Sequence, residues 1–171
     1  MSHVFLIGFM GAGKSTVGRL VADEMGRPFV DLDERIEAES GIPVAEVFAT
    51  HGEEVFRALE AAALCALADE PPSIVACGGG VVVSDVNRAE LKRLGHTIYL
   101  RVSAGETLAR VGDDGTRPLL SGGGGLLAAT ALLEARESLY SAVADATIDT
   151  VGFTAEQVAR SVEAEIRRVE L

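Results

Sequence analysis

The stretch "VFLIGFMGAGKSTV", Val4–Val17, decides the fold. Its first four residues form a short apolar run without alternation, as in a parallel strand covered on both faces. From Ser15 onward, Val17, Leu20 and Val21 recur at the i, i+3, i+4 spacing of a helix with one buried stripe. Between strand and helix, Gly8, Gly13, Lys14 and Ser15 satisfy G-x-x-x-x-G-K-[ST], a loop that wraps backbone N–H groups around phosphate. The N–H groups of Gly11, Ala12, Gly13, Lys14, Ser15 and Thr16 would line that cradle, at the positive end of the helix dipole. Lys14 would reach the β- and γ-phosphates of a nucleotide. Ser15 would ligate Mg²⁺, an ion that dehydrates reluctantly and keeps much of its water.

Working outward, Phe29–Leu32, Ile74–Cys77, Ile98–Val102 and Ala146–Ile148 read as four further strands. Helical segments fall between them, roughly Glu34–Ser40, Val44–Thr50, Glu53–Ala68, Asp85–Leu94, Ala104–Val111, Leu126–Ala144 and Ala155–Val169. Strands alternating with helices predict an α/β sheet with right-handed crossovers. The polar segment Gly112–Gly125, which ends in four consecutive glycines, predicts a mobile lid. No linker divides the chain, and its 171 residues suit a single domain.

Composition narrows the function. A net charge of −11 argues against a surface for nucleic acid or anionic lipid. No run of 18 apolar residues predicts a membrane span, and Met1-Ser2-His3 lacks the basic flank of a signal peptide. Cys65 and Cys77 have neither disulfide nor zinc spacing, so a reduced, cytoplasmic setting is the simplest expectation. The chain has two lysines, Lys14 and Lys92, against 13 arginines, so Lys14 is not a by-product of a lysine-rich composition. His3, His51 and His96 have no metal-ligand spacing.

Other residues bear on what is done to the nucleotide. A guanine-reading N-K-x-D is missing: Asn87, the single asparagine, is followed by Arg88. Asp31 and Asp33 close the second strand, where i and i+2 side chains share a face. One could order water around Mg²⁺ and the other meet an acceptor hydroxyl; capping the next helix is the alternative. Gly78-Gly79-Gly80 admits a ligand or a neighbouring backbone very closely, or is a plain turn. Arg57 and Glu60 stand at i, i+3, so Glu60 could orient the guanidinium, unless the pair is merely an exposed helix contact. Arg117, in the lid, could stabilise charge on a transferring phosphoryl group. Arg136, on the next helix, reads alone as a solvated charge.

Taken together, "GRPFVDLD", "GIPVAEVFATHGEEVFRALE", "ACGGGVV", "RPLL" and "RESLYSAVAD", in this order after the phosphate loop, resemble the shikimate kinase family nearly end to end. The resemblance implies a P-loop, nucleoside-monophosphate-kinase-like fold, a five-stranded parallel sheet of order 2-3-1-4-5 flanked by helices, with the lid at about 112–125 and an acceptor-binding segment at about 33–60. It implies ATP and shikimate as substrates, with Mg²⁺, and a monomer that binds neither nucleic acid nor membrane. Asp33 would bind shikimate hydroxyls and accept or orient the proton of the 3-hydroxyl, with Asp31 behind the Mg²⁺ shell. Arg57 and Arg136 would grip the shikimate carboxylate, Glu60 would orient Arg57, and Gly78, Gly79 and Gly80 would line the acceptor ring. Arg117 would close on the ATP phosphates, and Arg110 would stack near adenine. Another small-metabolite kinase such as a gluconate kinase, or a silent nucleotide-binding module, are the competing readings.

Overall fold

The computed structural model describes residues 1–111 and 125–170. Among these, β1 (His3–Ile7), β2 (Phe29–Asp31), β3 (Ile74–Ala76), β4 (Gly95–Arg101) and β5 (Ala146–Asp149) form one sheet of order β2-β3-β1-β4-β5. Every neighbouring pair runs parallel, with Phe5 opposite Val75 on one side and Thr97 on the other. The expected class, strand number and strand order are therefore all present. The expected lid, and Arg117 with it, lies outside the described residues apart from Gly125.

β1 is the centre of the sheet and all five of its residues are buried, which explains its unbroken apolar run. Around it are α1 (Lys14–Met25), α2 (Leu32–Ser40), α3 (Val44–Ala66), α4 (Asp85–Leu94), α5 (Ala104–Val111), α6 (Gly125–Val143) and α7 (Ala155–Val169). One group of helices pairs α1 with α7, and another joins α3 to α4 and α4 to α6. The core between helices and sheet includes Phe5, Leu6, Ile7, Leu64, Ile98, Leu100, Val162 and Ile166, each with no more than 1% of its surface exposed. His3 is a core residue, its ring bonded to the Leu67 carbonyl at 2.9 Å and accepting the Ser73 N–H at 3.2 Å.

The start of β4 and the end of β2 depart from the sequence reading, while the break at Gly52 agrees with it. β4 begins at Gly95, three residues before the predicted Ile98, because Gly95, His96 and Thr97 pair with His3, Val4 and Phe5 of β1. The His96 ring meets Glu165 at 3.1 Å, and the Thr97 N–H donates to Asp145 at 2.8 Å. As expected, two helices meet at Gly52, whose non-helical φ of 83° and ψ of 171° suit a residue without Cβ, and α3 spans both. β2 stops at Asp31 and α2 begins at Leu32, so Asp33 belongs to the first helical turn and not to the strand.

Thr154 and Gln157 form a reciprocal capping box at the start of α7, each side chain accepting the other's backbone N–H. Thr154→Ala should lower unfolding free energy by about 1 kcal/mol, as a lost cap does. Leu64→Ala, at a position with no exposed surface, should cost about 2–5 kcal/mol through the lost burial and the cavity left behind. Urea unfolding of both variants checks the order, and an equal cost for the two would contradict this assignment of core and cap.

Candidate active site

The open end of the sheet lies beyond the carboxyl ends of its strands, at the point where the chain order reverses about β1. The loop Gly8–Gly13 leaves β1 there and turns into α1. Gly13 occupies the N-cap position with φ 88°, and no side chain caps the helix. The first N–H groups of α1 are thus left for a ligand anion. Lys14 folds back over the loop, donating to the carbonyls of Gly8 at 2.8 Å and Phe9 at 3.0 Å. Two residues of α5 brace the loop from the other side. Thr107 donates to the Met10 carbonyl at 3.0 Å, and Arg110 donates to the Gly11 carbonyl at 3.0 Å. Sequence reasoning missed Thr107: a threonine in a helix carries no local sign that it is fully buried against a loop 97 residues away.

Asp31 makes the helix cap that the sequence offered as one alternative, and it also meets Ser15. Its Oδ1 caps α2, accepting the N–H groups of Asp33 at 3.0 Å and Glu34 at 3.2 Å. Its Oδ2 accepts the Ser15 hydroxyl at 2.5 Å. The strand argument that placed Asp31 and Asp33 on one face is corrected, since Asp33 lies in a helix. Both carboxylates nevertheless line the same cleft, because the cap fixes the helical turn that carries Asp33. A hydroxyl and a carboxylate joined at the head of α1 are hard oxygen donors, the chemistry that fits Mg²⁺. No group of three or more His, Cys, Asp or Glu side chains is placed to hold a metal among the described residues. A cation there would therefore complete its shell with phosphate and water.

The cleft has a volume of about 420 Å³ and is lined by Gly11, Gly13, Lys14, Ser15, Thr16, Asp31, Asp33, Cys77, Gly78, Gly79 and Arg110. A smaller depression of about 200 Å³ adjoins it, with Ala12, Gly13, Thr16, Arg110, Thr150 and Phe153 in its walls. Arg110 stands between the two, held by Glu106, by the Gly11 carbonyl and by both the hydroxyl and the carbonyl of Thr150. The Cys77 thiol is buried and its pKa is pushed up by that burial, so it stays protonated.

Behind Gly78–Gly80 lies a cluster of charges. Arg57 bonds Glu60 at 3.0 Å and Glu53 at 3.2 Å. Glu60 has no exposed surface, so the pair is not the exposed helix contact that spacing alone allowed. Burial raises the Glu60 carboxyl from 4.5 to about 7, against the pull of Arg57. Arg136, only 5% exposed, is likewise no solvated charge, and it bonds the Tyr140 hydroxyl. Tyr140 in turn donates to the Gly79 carbonyl at 2.5 Å and stacks on Tyr99 with ring centres 5.0 Å apart. A Cβ on Gly78 would stand 2.9 Å from Asp33 and 3.1 Å from Glu60, and one on Gly80 would fall into the Arg57 guanidinium, so either would push those side chains aside, whereas one on Gly79 would make only ordinary contact.

A phosphate loop and a buried Arg57–Glu60–Arg136 cluster thus meet across one glycine run. The family model for shikimate kinase matches residues 10–167. The chain belongs to the shikimate kinase family. A shikimate kinase of Moorella thermoacetica is 44% identical over 161 residues, which cover 94% of this chain and 92% of that protein. The structure of a shikimate kinase from Acinetobacter baumannii in complex with shikimate superposes with a TM-score of 0.96 at 35% identity, covering 100% of this chain and 96% of that one. A gluconokinase from Sinorhizobium meliloti reaches a TM-score of 0.61 at 20% identity, covers 98% of this chain and 93% of that one, and shares the fold. As a member of the shikimate kinase family, the chain is an ATP-dependent kinase.

The raised Glu60 pKa has a signed consequence for stability. Between about pH 4.5 and pH 7 the unfolded chain ionises Glu60 while the folded one keeps its proton. This contribution is therefore full below pH 4.5 and is lost as pH rises to 7. Glu60→Gln should remove a decline on the order of 3 kcal/mol over that window. Parallel pH–stability curves for wild type and variant, measured by denaturant unfolding, would show that burial does not hold the proton.

Proposed function

We propose that the chain transfers the γ-phosphoryl of ATP, bound with Mg²⁺, to the 3-hydroxyl of shikimate, giving shikimate 3-phosphate and ADP. The observation that carries this reading is the placing of the phosphate loop and the Arg57–Glu60–Arg136 cluster on two sides of Gly78–Gly80. Membership of the shikimate kinase family and the 0.96 superposition on a shikimate complex support the acceptor. The gluconokinase likeness, at 20% identity, speaks only to fold. We read residues 1–171 as one kinase domain, active as a monomer that needs neither nucleic acid nor membrane. No described helix is long and apolar enough to cross a bilayer.

In this reading the N–H groups of the loop and of the start of α1, from Gly11 to Thr16, hold the β-phosphate, and Lys14 leaves its two loop carbonyls to meet the β- and γ-phosphates. Ser15 would hold Mg²⁺ directly and Asp31 through water. The bound cation neutralises charge on the phosphates. Adenine takes the smaller depression, whose walls include Arg110, Thr150 and Phe153. Arg57 and Arg136 bind the shikimate carboxylate, while the ring lies against Gly78, Gly79 and Gly80. Asp33 receives the 3-hydroxyl and orients or accepts its proton. Catalysis is mainly positioning and charge stabilisation, with little proton removal demanded early in a loose transition state. We assign Arg117, outside the described residues, to the transferring phosphoryl group.

A coupled assay of ADP release tests the reading directly. Shikimate-dependent turnover is expected, and turnover with gluconate but none with shikimate would overturn it. Lys14→Ala should lower kcat by about 100-fold or more, as expected for removing a donor to developing charge; wild-type turnover would refute the role given to Lys14. Arg136→Ala should raise KM for shikimate by about tenfold or more, with little change in KM for ATP. Equal effects on both substrates would contradict a carboxylate clamp.

A further inference from the structure

Asn87 is the single asparagine of the chain and has no exposed surface. It lies in the first turn of α4, its backbone N–H donating to the Ser84 hydroxyl at 3.4 Å. Its side-chain amide donates to Glu60 Oε1 at 3.3 Å. That same oxygen accepts from Arg57 at 3.0 Å. Among the described residues, Asn87 Oδ1 and Glu60 Oε2 are buried without hydrogen-bond partners. An amide that merely filled the core would be a poor choice, since an apolar side chain of the same size leaves no acceptor unpaired. Among the described residues, the one bond this side-chain amide makes is to the carboxylate behind Arg57.

The chain path fixes where that amide stands. Gly78–Gly80 leads into a 3-10 turn, Val81–Val83, and then into the Ser84 cap of α4. Arg88 locks the turn, donating to the carbonyls of Val82 at 2.6 Å and Val83 at 3.2 Å. The glycine run that borders the acceptor cleft and the amide that bonds Glu60 are thus held in one short, braced segment.

We propose that Asn87 is a positioning residue for the acceptor clamp: its amide holds the Glu60 carboxylate in the orientation that aims the Arg57 guanidinium at the acceptor's carboxylate. The proposal rests on the shikimate reading for the identity of that acceptor. The amide also favours the ionised form of Glu60, which otherwise faces Arg57 on its own helix, Asp33 from α2, Cys77 beyond β3 and Arg136 from α6.

Two experiments test it. Asn87→Leu removes the donor at similar volume. It should raise KM for shikimate by about tenfold while KM for ATP stays within about twofold, and move the acid limb of kcat/KM for shikimate to higher pH. An unchanged KM for shikimate in the folded variant, or a matching rise in both KM values, overturns the proposal. The second needs no Asn87 variant. With asparagine alone labelled with ¹⁵N, the full-length wild type gives one side-chain NH₂ pair. Its shifts should follow pH with the titration of Glu60, lose that dependence in Glu60→Gln, and move on adding shikimate. An NH₂ pair indifferent to pH near neutrality overturns the coupling. Failure of the wild type to turn over shikimate would sink the functional reading instead, and the pH titration of the NH₂ pair would still decide the Asn87–Glu60 bond.

Discussion

The burial of β1 on both faces, between β3 and β4, is the constraint on which the site depends. A central parallel strand cannot turn back on itself, so the chain must leave its carboxyl end and cross to a helix. Here the crossing is made by Gly8–Gly13, and the helix that follows has no side-chain cap. The loop's exposed N–H groups and the crevice at the strand-order reversal are two results of one placement. β3, beside β1, delivers Cys77–Gly80 to the same crevice, and β2 delivers Asp31.

Electrostatics explain how a chain of net charge −11 can receive anions. Much of its charge is paired at the surface, as in Arg19–Glu34, Arg93–Glu90 and Arg101–Asp149, where water and salt screen it. At the crevice the cations are buried or held in place: Lys14 across the loop, Arg57 against Glu60, Arg136 against Tyr140, and Arg110 across the loop and Thr150. Holding a guanidinium in the low-dielectric wall of a cleft strengthens its field at the ligand, and a fixed carboxylate offsets the cost of its desolvation. Glu60 is the most strained partner in that arrangement, since burial outweighs Arg57 and leaves its carboxyl near neutrality.

How far the site could be read in advance depended on whether its signals were local. The phosphate loop was fully legible because strand, glycines, lysine and helix are contiguous. Gly78–Gly80 was visible as a run, but its reason, the nearness of Asp33, Glu60 and Arg57, was not. Capping was one of two readings open for Asp31, and its Oδ1 makes that cap while its Oδ2 takes the Ser15 hydroxyl. Thr107, Tyr140 and Asn87 carried no pattern at all. Each makes a hydrogen bond across 97, 61 or 27 residues of chain, which no periodicity records.

The sequence by itself determined the order of strands and helices, the phosphate loop and, through its motifs, the family. Those features are written in spacing, which local backbone geometry translates without reference to the rest of the chain. Only the tertiary structure decided which charges are buried, how far β4 extends, and why Arg136 and Glu60 are not surface groups. Burial is a property of packing between distant segments. The same Arg–Glu spacing is a weak surface pair on one helix and a pair with a buried carboxyl on another, and the difference lies in what covers it.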